Sequence, residues 1–214
     1  MPLPQIEVLP AAAKRVRHHD AWVFRDELAT PQAEAGHGEV VELTDRHGAF
    51  LAYAFYSQRS HIAARIMSLQ REVRVDRALF AARVQSAIGR RASLQGTNAR
   101  RLVFSEADAL PGLIVDQYDQ WLVLQSRSAG MESWKGTVVD LLREAVRPRG
   151  ILERSDKEFR DEEGLPVSLK CWMAACRSAS VSRKTDCSSG WIRTTGRRPA
   201  STWTSATRGA ASGG

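Results

Sequence analysis

Several groups of side chains in this sequence have types and spacings that can do chemistry. Lys14, Arg15, Arg17, His18 and His19 fall within six positions, a basic cluster of the kind that contacts the phosphates of a nucleic acid. The same run also suits the solvated edge of an N-terminal strand, and both readings stay open. Trp22 and Phe24 can stack on bases or fill the core of a small barrel. Arg59 and Arg65 flank a strand that follows a turn; each can reach a nucleic-acid backbone or close an ion pair. Glu106, Asp108 and Asp116 can be read as an acid/base set. They surround Leu110-Pro111-Gly112, however, and carboxylates around such a turn bond backbone amides, which is the reading taken. Cys171, Cys176 and Cys187 match no zinc spacing and have no His nearby. They read as free thiols without a role, and no metal is expected.

Charge narrows the partners only locally. The 214 residues carry a net +7, yet from Val167 onward there are eight Lys/Arg against one acid, Asp186, which accounts for all of it. Residues 1–166 hold 23 basic and 23 acidic residues, so nucleic-acid contact there must come from clusters. No run approaches the roughly 18 apolar residues of a membrane helix. The N-terminus lacks the charged start and apolar core of a signal peptide. A soluble, cytoplasmic chain is expected, with no membrane partner.

The elements that must position these side chains fall into two bodies. Residues 1–70 read as all-β: Val40–Leu43 and Ala49–Tyr56 form a hairpin about the Asp45-Arg46-His47-Gly48 turn, and Ile62–Leu69 is a third strand. Short strands with turns between them predict a small barrel. Asp76 opens a helix whose apolar face is Leu79, Phe80, Val84, Ala87 and Ile88. Strands follow at 101–104, 113–118 and 121–126, then a helix through Trp134, Val138, Leu141, Leu142 and Ala145 stopped by Pro148 and Gly150, then a strand at 151–154. That order predicts a compact α+β unit. The expected domains are 1–75, 76–166 and a tail, 167–214. Only four of the tail's 48 residues are Leu, Ile, Val or Phe, too few to offset the entropy of ordering it, so disorder is expected there.

The run Arg17-His18-His19-Asp20-Ala21-Trp22-Val23-Phe24 resembles the entry of a PUA-like RNA-binding barrel. Gly38 to Leu43 with Asp45 and Gly48 continues the pattern, as does Phe55-Tyr56-Ser57 with Ser60, Ile62 and Arg65. More specific is Glu106-Ala107-Asp108-Ala109-Leu110-Pro111-Gly112-Leu113-Ile114-Val115-Asp116, followed by Glu153-Arg154-Ser155-Asp156 and Glu163-Gly164-Leu165-Pro166. In this order and spacing, residues 12–166 resemble the N-terminal half of the large-subunit rRNA cytosine-5 methyltransferases. Asp20-Ala21 stands where a Pro usually precedes the Trp, and Tyr53-Ala54 replaces an expected Arg-Gly. The resemblance implies a PUA domain, an α+β middle domain and ribosomal RNA as partner. It also implies a third, Rossmann-like domain that binds S-adenosylmethionine and supplies a cysteine nucleophile. No Gly-rich strand-to-helix loop of that kind follows Pro166. No cofactor, cofactor-binding residue or catalytic residue is therefore assigned to this chain.

Read one base out of phase, the tail can encode GQKTGFYLDQRD, which resembles the opening of that methyltransferase domain. A frame slip near Pro166–Ser168 accounts for the abrupt Trp, Cys, Arg and Ser composition. The expected function is thus an RNA-binding N-terminal part of a 23S rRNA (cytosine-C5) methyltransferase, inactive by itself. Lys14, Arg15, Arg17, His18, Arg59 and Arg65 are its RNA-binding candidates. The alternatives are a free-standing PUA-type module with a basic RNA-binding tail, and a small enzyme built on the acidic block.

Overall fold

The structure, a computed structural model, describes residues 2–29, 35–93 and 97–173. Alternating side chains from Val40 to Ser68 fold as a meander of β3 (Val40–Thr44), β4 (Phe50–Tyr56) and β5 (Ile62–Ser68). Asp45 shapes the first turn by accepting from the amides of His47 (2.9 Å) and Ala49 (3.0 Å), and Gly48 takes the left-handed φ of 72° that the turn requires. β1 (Gln5–Glu7) adds in parallel to β3, and β2 (Trp22–Phe24) adds antiparallel to β5. The sheet order is β1-β3-β4-β5-β2. A bridge between Val8 and Leu28, with Leu9 N donating to Glu27 O (2.8 Å) and Ala29 N to Glu7 O (3.0 Å), joins the two edges and closes the sheet. Ile6, Val23, Val41, Leu43, Ala54 and Ala64 fill its interior.

Residues 1–70 are not all-β. α1 (Pro10–Arg17) lies between β1 and β2 and buries Ala12, Ala13 and Val16 in the barrel core. Pro10 fits a first helical position, where a missing N–H costs nothing, and Lys14, Arg15 and Arg17 sit in the last turn, where cations complement the helix dipole.

The second body follows the expected order. Asp76 caps α2 (Arg77–Arg90) by accepting from Leu79 N at 3.0 Å. β6 (Ala99–Phe104), β7 (Leu113–Tyr118) and β8 (Trp121–Ser126) run antiparallel in sequence. α3 (Ala129–Val146) then crosses over to β9 (Gly150–Ser155), which is parallel to β8. α2 and α3 pack together, with Phe80 stacked on Trp134 at 4.7 Å between centroids. The fold is α+β: a small barrel followed by a sheet with helices packed on it.

The two bodies share a core. Phe55 and Met67 belong to the cluster of Phe80, Leu102, Leu124 and Leu142 rather than to the barrel interior. The first turn of α3 lies against Phe55 so closely that a Cβ on Gly130 would stand 2.1 Å from its Cγ. Arg83 of α2 reinforces the seam, donating to Ala109 O at 2.6 Å and to Met67 O. Behind α3 runs a buried ionic network. Lys135 bridges Glu132 and the fully buried Glu153, and Arg160 donates to Glu132 at 2.9 Å. Burial alone would raise the Glu132 carboxyl, but hydrogen bonds from Arg160 and Lys135 overcome it and hold the group down at about 2.

After α4 (Lys157–Arg160), the chain forms β10 (Ser168–Cys171), an antiparallel edge strand on β9. Disorder from Val167 is thus corrected for these residues. The open edge of β9 offers unpaired backbone groups, and Trp172 fixes the register by donating from its backbone N to Ile151 O and from its indole to Glu153, both at 3.0 Å. Cys171 is disulfide-bonded rather than a free thiol. The rest of the expected disordered tail, 174–214, lies outside the described residues.

Candidate nucleic-acid interface

The basic candidates divide into two places. Lys14, Arg15, Arg17 and His18 gather at the C-terminal end of α1. Lys14 and His18 are exposed, and no ion pair involves either among the described residues. Arg17 is exposed too, and its guanidinium reaches Asp45 in the β3–β4 turn. That contact brings Arg46 and His47, both exposed at the tip of the turn, beside the helix end. Lys14, Arg17, His18, His19, Arg46 and His47 thereby form one rim of the barrel. Asp45, which pairs with Arg17 at the rim, is held below its ordinary value first by the amides of His47 and Ala49 and then by Arg17.

Arg15 belongs to the same turn but is turned to internal use. It pairs with Asp20 (2.8 Å) and Glu27, donates to Trp22 O (3.2 Å) and lies over the Phe24 ring. Arg65 is committed more deeply. Its side chain is 14% exposed and donates to Glu106 (3.2 Å) and Glu163 (3.1 Å), and Glu163 in turn accepts from Ala129 N at the start of α3 (3.2 Å). Arg59 is exposed and crosses Gly164, where a Cβ would come within 2.2 Å of its Cδ. Arg59 and Arg65 therefore meet at residues 163–164, a second place that sequence spacing does not separate from the first.

The acidic block is equally engaged. Asp108 is buried, pairs with Arg90 and Arg91 and accepts from Phe104 N. Asp116 holds Arg101 in a bidentate pair at 2.8 and 3.1 Å. Glu106 joins Arg65, Ser105 and the Trp22 indole N–H (3.0 Å). Burial would raise its carboxyl, but the Ser105 and Trp22 hydrogen bonds and the Arg65 charge outweigh that and leave it lowered. Sequence reasoning missed Arg46 and His47. The turn that carries them was visible, but its position beside α1 rests on the tertiary Arg17–Asp45 contact.

Residues 6–69 match the model of a PUA-like domain. The chain is 36% identical over 156 residues to ribosomal RNA large subunit methyltransferase I of Yersinia pseudotuberculosis (serotype O:1b, strain IP 31758) and equally to that of Yersinia pestis. Over this stretch the chain is similar to the large-subunit rRNA methyltransferases. The match covers 72% of this chain and 39% of each relative, so the chain spans about two fifths of the length of the curated relatives it matches. Two solved structures share the fold at 18% identity, each over 72% of this chain. One is a putative SAM-dependent methyltransferase from Streptococcus mutans (TM-score 0.63, 41% of that chain). The other is a putative methyltransferase complexed with SAH (TM-score 0.64, 40% of that chain).

At the start of α3 the described residues leave no room for a methyl-donor cofactor. The parallel β8–α3–β9 unit is the place where a nucleotide-like ligand would meet a helix N-terminus. Here the Ala129 amide is taken by Glu163, and Gly130 is covered by Phe55, which leaves no cradle. Among the described residues no group of three or more His, Cys, Asp or Glu can hold a metal, and no helix is long and apolar enough to cross a membrane.

Proposed function

We propose that the chain is the RNA-binding part of a cytoplasmic, S-adenosylmethionine-dependent 23S rRNA (cytosine-C5) methyltransferase, and that it transfers no methyl group by itself. Residues 1–75 serve as the RNA-binding barrel and 76–166 as the middle domain that steadies it. The observation that carries this reading is the exposed rim of Lys14, Arg17, His18 and Arg46 on a PUA-like barrel in a chain related to rRNA methyltransferases. Exposed Lys and Arg contribute affinity by releasing counterions from phosphates, so binding must weaken steeply with salt. Arg59, exposed beside residue 164, extends the same role toward the second body. Arg15 acts indirectly, by fixing the Trp22 backbone, whereas Arg65 is paired with Glu106 and Glu163 and holds the fold.

The test is a titration of the full chain with a structured rRNA fragment over a range of salt. Saturable binding with a negative log-log salt slope supports the reading; no binding at low salt overturns it. The reading of a basic tail as the RNA-binding arm is favoured by its eight Lys/Arg against one acid. It predicts that removing 174–214 abolishes binding, whereas the barrel reading predicts that most binding survives.

A further inference from the structure

We propose that Trp22 is a stacking platform for an unpaired RNA base, set beside the phosphate-binding rim. The inference rests on the RNA-binding reading and adds a recognition element to it. Three observations converge on this residue. The place in the barrel core that β2 must fill is taken by Val23, fully buried, while Trp22 faces the other way and is 37% exposed. Its ring is fixed at the polar edge, where the indole N–H donates to Glu106 Oε1 at 3.0 Å, and on one face, where the guanidinium of Arg65, its cross-strand partner, lies over the ring 5.9 Å from the centroid. Its backbone is fixed as well, because Arg15 donates to the Trp22 carbonyl at 3.2 Å while holding Asp20 and Glu27.

An indole whose N–H is already bonded, and one of whose faces lies under Arg65, offers a partner its other π face, and every base has a π face to match. Because the ring is immobilised in the free protein, stacking costs little ordering entropy. The occupant must also carry phosphates. His18 and Trp22 are four residues apart, at most ~14 Å of extended chain, or about four stacked nucleotides at ~3.4 Å each. One strand can therefore lie on the rim and place a base on Trp22. A duplex cannot, since its bases remain inside the helix. The ligand class is single-stranded or looped RNA with an unstacked base.

The experiment measures binding of the full chain to a short unpaired oligoribonucleotide and to the same sequence as a duplex. Trp22→Leu keeps apolar bulk but removes the π face; it should weaken the unpaired strand about tenfold and leave the duplex within about twofold. Trp22→Phe should stay near wild type on both. Equal weakening on both ligands, or none on either, overturns the stack. Charge reversal at Lys14 and Arg17 separates the two ideas. If reversal weakens binding and Trp22→Leu does not, stacking alone fails; the opposite pattern sinks the rim and keeps the stack. Should Trp22→Leu fail to fold by circular dichroism, ultraviolet crosslinking of RNA to the unaltered chain decides. An adduct on the peptide bearing Trp22 supports the stack, and adducts confined to the peptides bearing Lys14 or Arg46 overturn it.

Discussion

The rim of the barrel and the seam between the two bodies are both rich in arginine, yet the two regions spend it differently. At the seam, Arg65 lies between Glu106 and Glu163 and Arg83 bonds two backbone carbonyls; within the second body, Arg90 and Arg91 enclose Asp108. At the rim, Lys14, His18, Arg46 and His47 project from a short helix end and a turn tip, where Arg17 pairs with Asp45. A cation enclosed by carboxylates is neutralised and dehydrated, so it holds the fold and contributes little to a polyanion's field. A cation left in water keeps its charge for a ligand. Residue type alone does not separate the two uses; the surrounding acids do.

The largest effect should come from breaking the seam. Arg65→Met removes the cation but leaves Glu163, with a 2% exposed side chain, unpaired. It should lower unfolding free energy by about 3 kcal/mol in denaturant titration, with RNA affinity within about threefold of wild type. A stable variant with lost RNA binding would merge the two regions. Next, Lys14→Glu, Arg17→Glu and Arg46→Glu together should weaken RNA binding about 100-fold at low salt and flatten the log-log salt slope by about 2, with little change in thermal midpoint.

Glu132 sharpens the contrast from the fold side. Folding lowers its carboxyl from an ordinary 4.5 to about 2, so its contribution is complete above the unfolded value and is lost as pH falls toward about 2. Glu132→Gln should cost about 2 kcal/mol at neutral pH and remove part of the acid-induced loss of stability, measured by urea unfolding at successive pH values. The smallest effect belongs to Arg46→Ala. It should reduce RNA affinity about twofold to threefold and leave stability unchanged, as expected for one phosphate contact among several.

Much of the second body was legible because its signals are local: Asp76 as a cap, the α2 periodicity, and Pro148 and Gly150 after α3. α1 was not. Its eight residues are too few for a clear period, and the basic run at 14–19 masked the signal that was present, Pro10 before three alanines with Val16 one turn beyond Ala12. β10 was missed because its residues have no strand pattern of their own, and the free edge of β9 supplies what they lack. At the candidate interface, the cluster of Lys14, Arg17 and His18 could be read directly. The commitment of Arg65 to Glu106 and Glu163 could not, since those partners are 41 and 98 residues away in sequence.

The central claim is that the rim binds RNA while the seam holds the fold. The most direct measurement is a salt series of RNA binding run side by side on the wild-type chain, the Lys14/Arg17/Arg46 charge-reversal variant and Arg65→Met. The account predicts a steep slope for wild type and Arg65→Met and a flattened, weakened curve for the rim variant. If the rim variant binds as wild type does, or if Arg65→Met loses RNA while remaining folded, the division between the two regions is wrong.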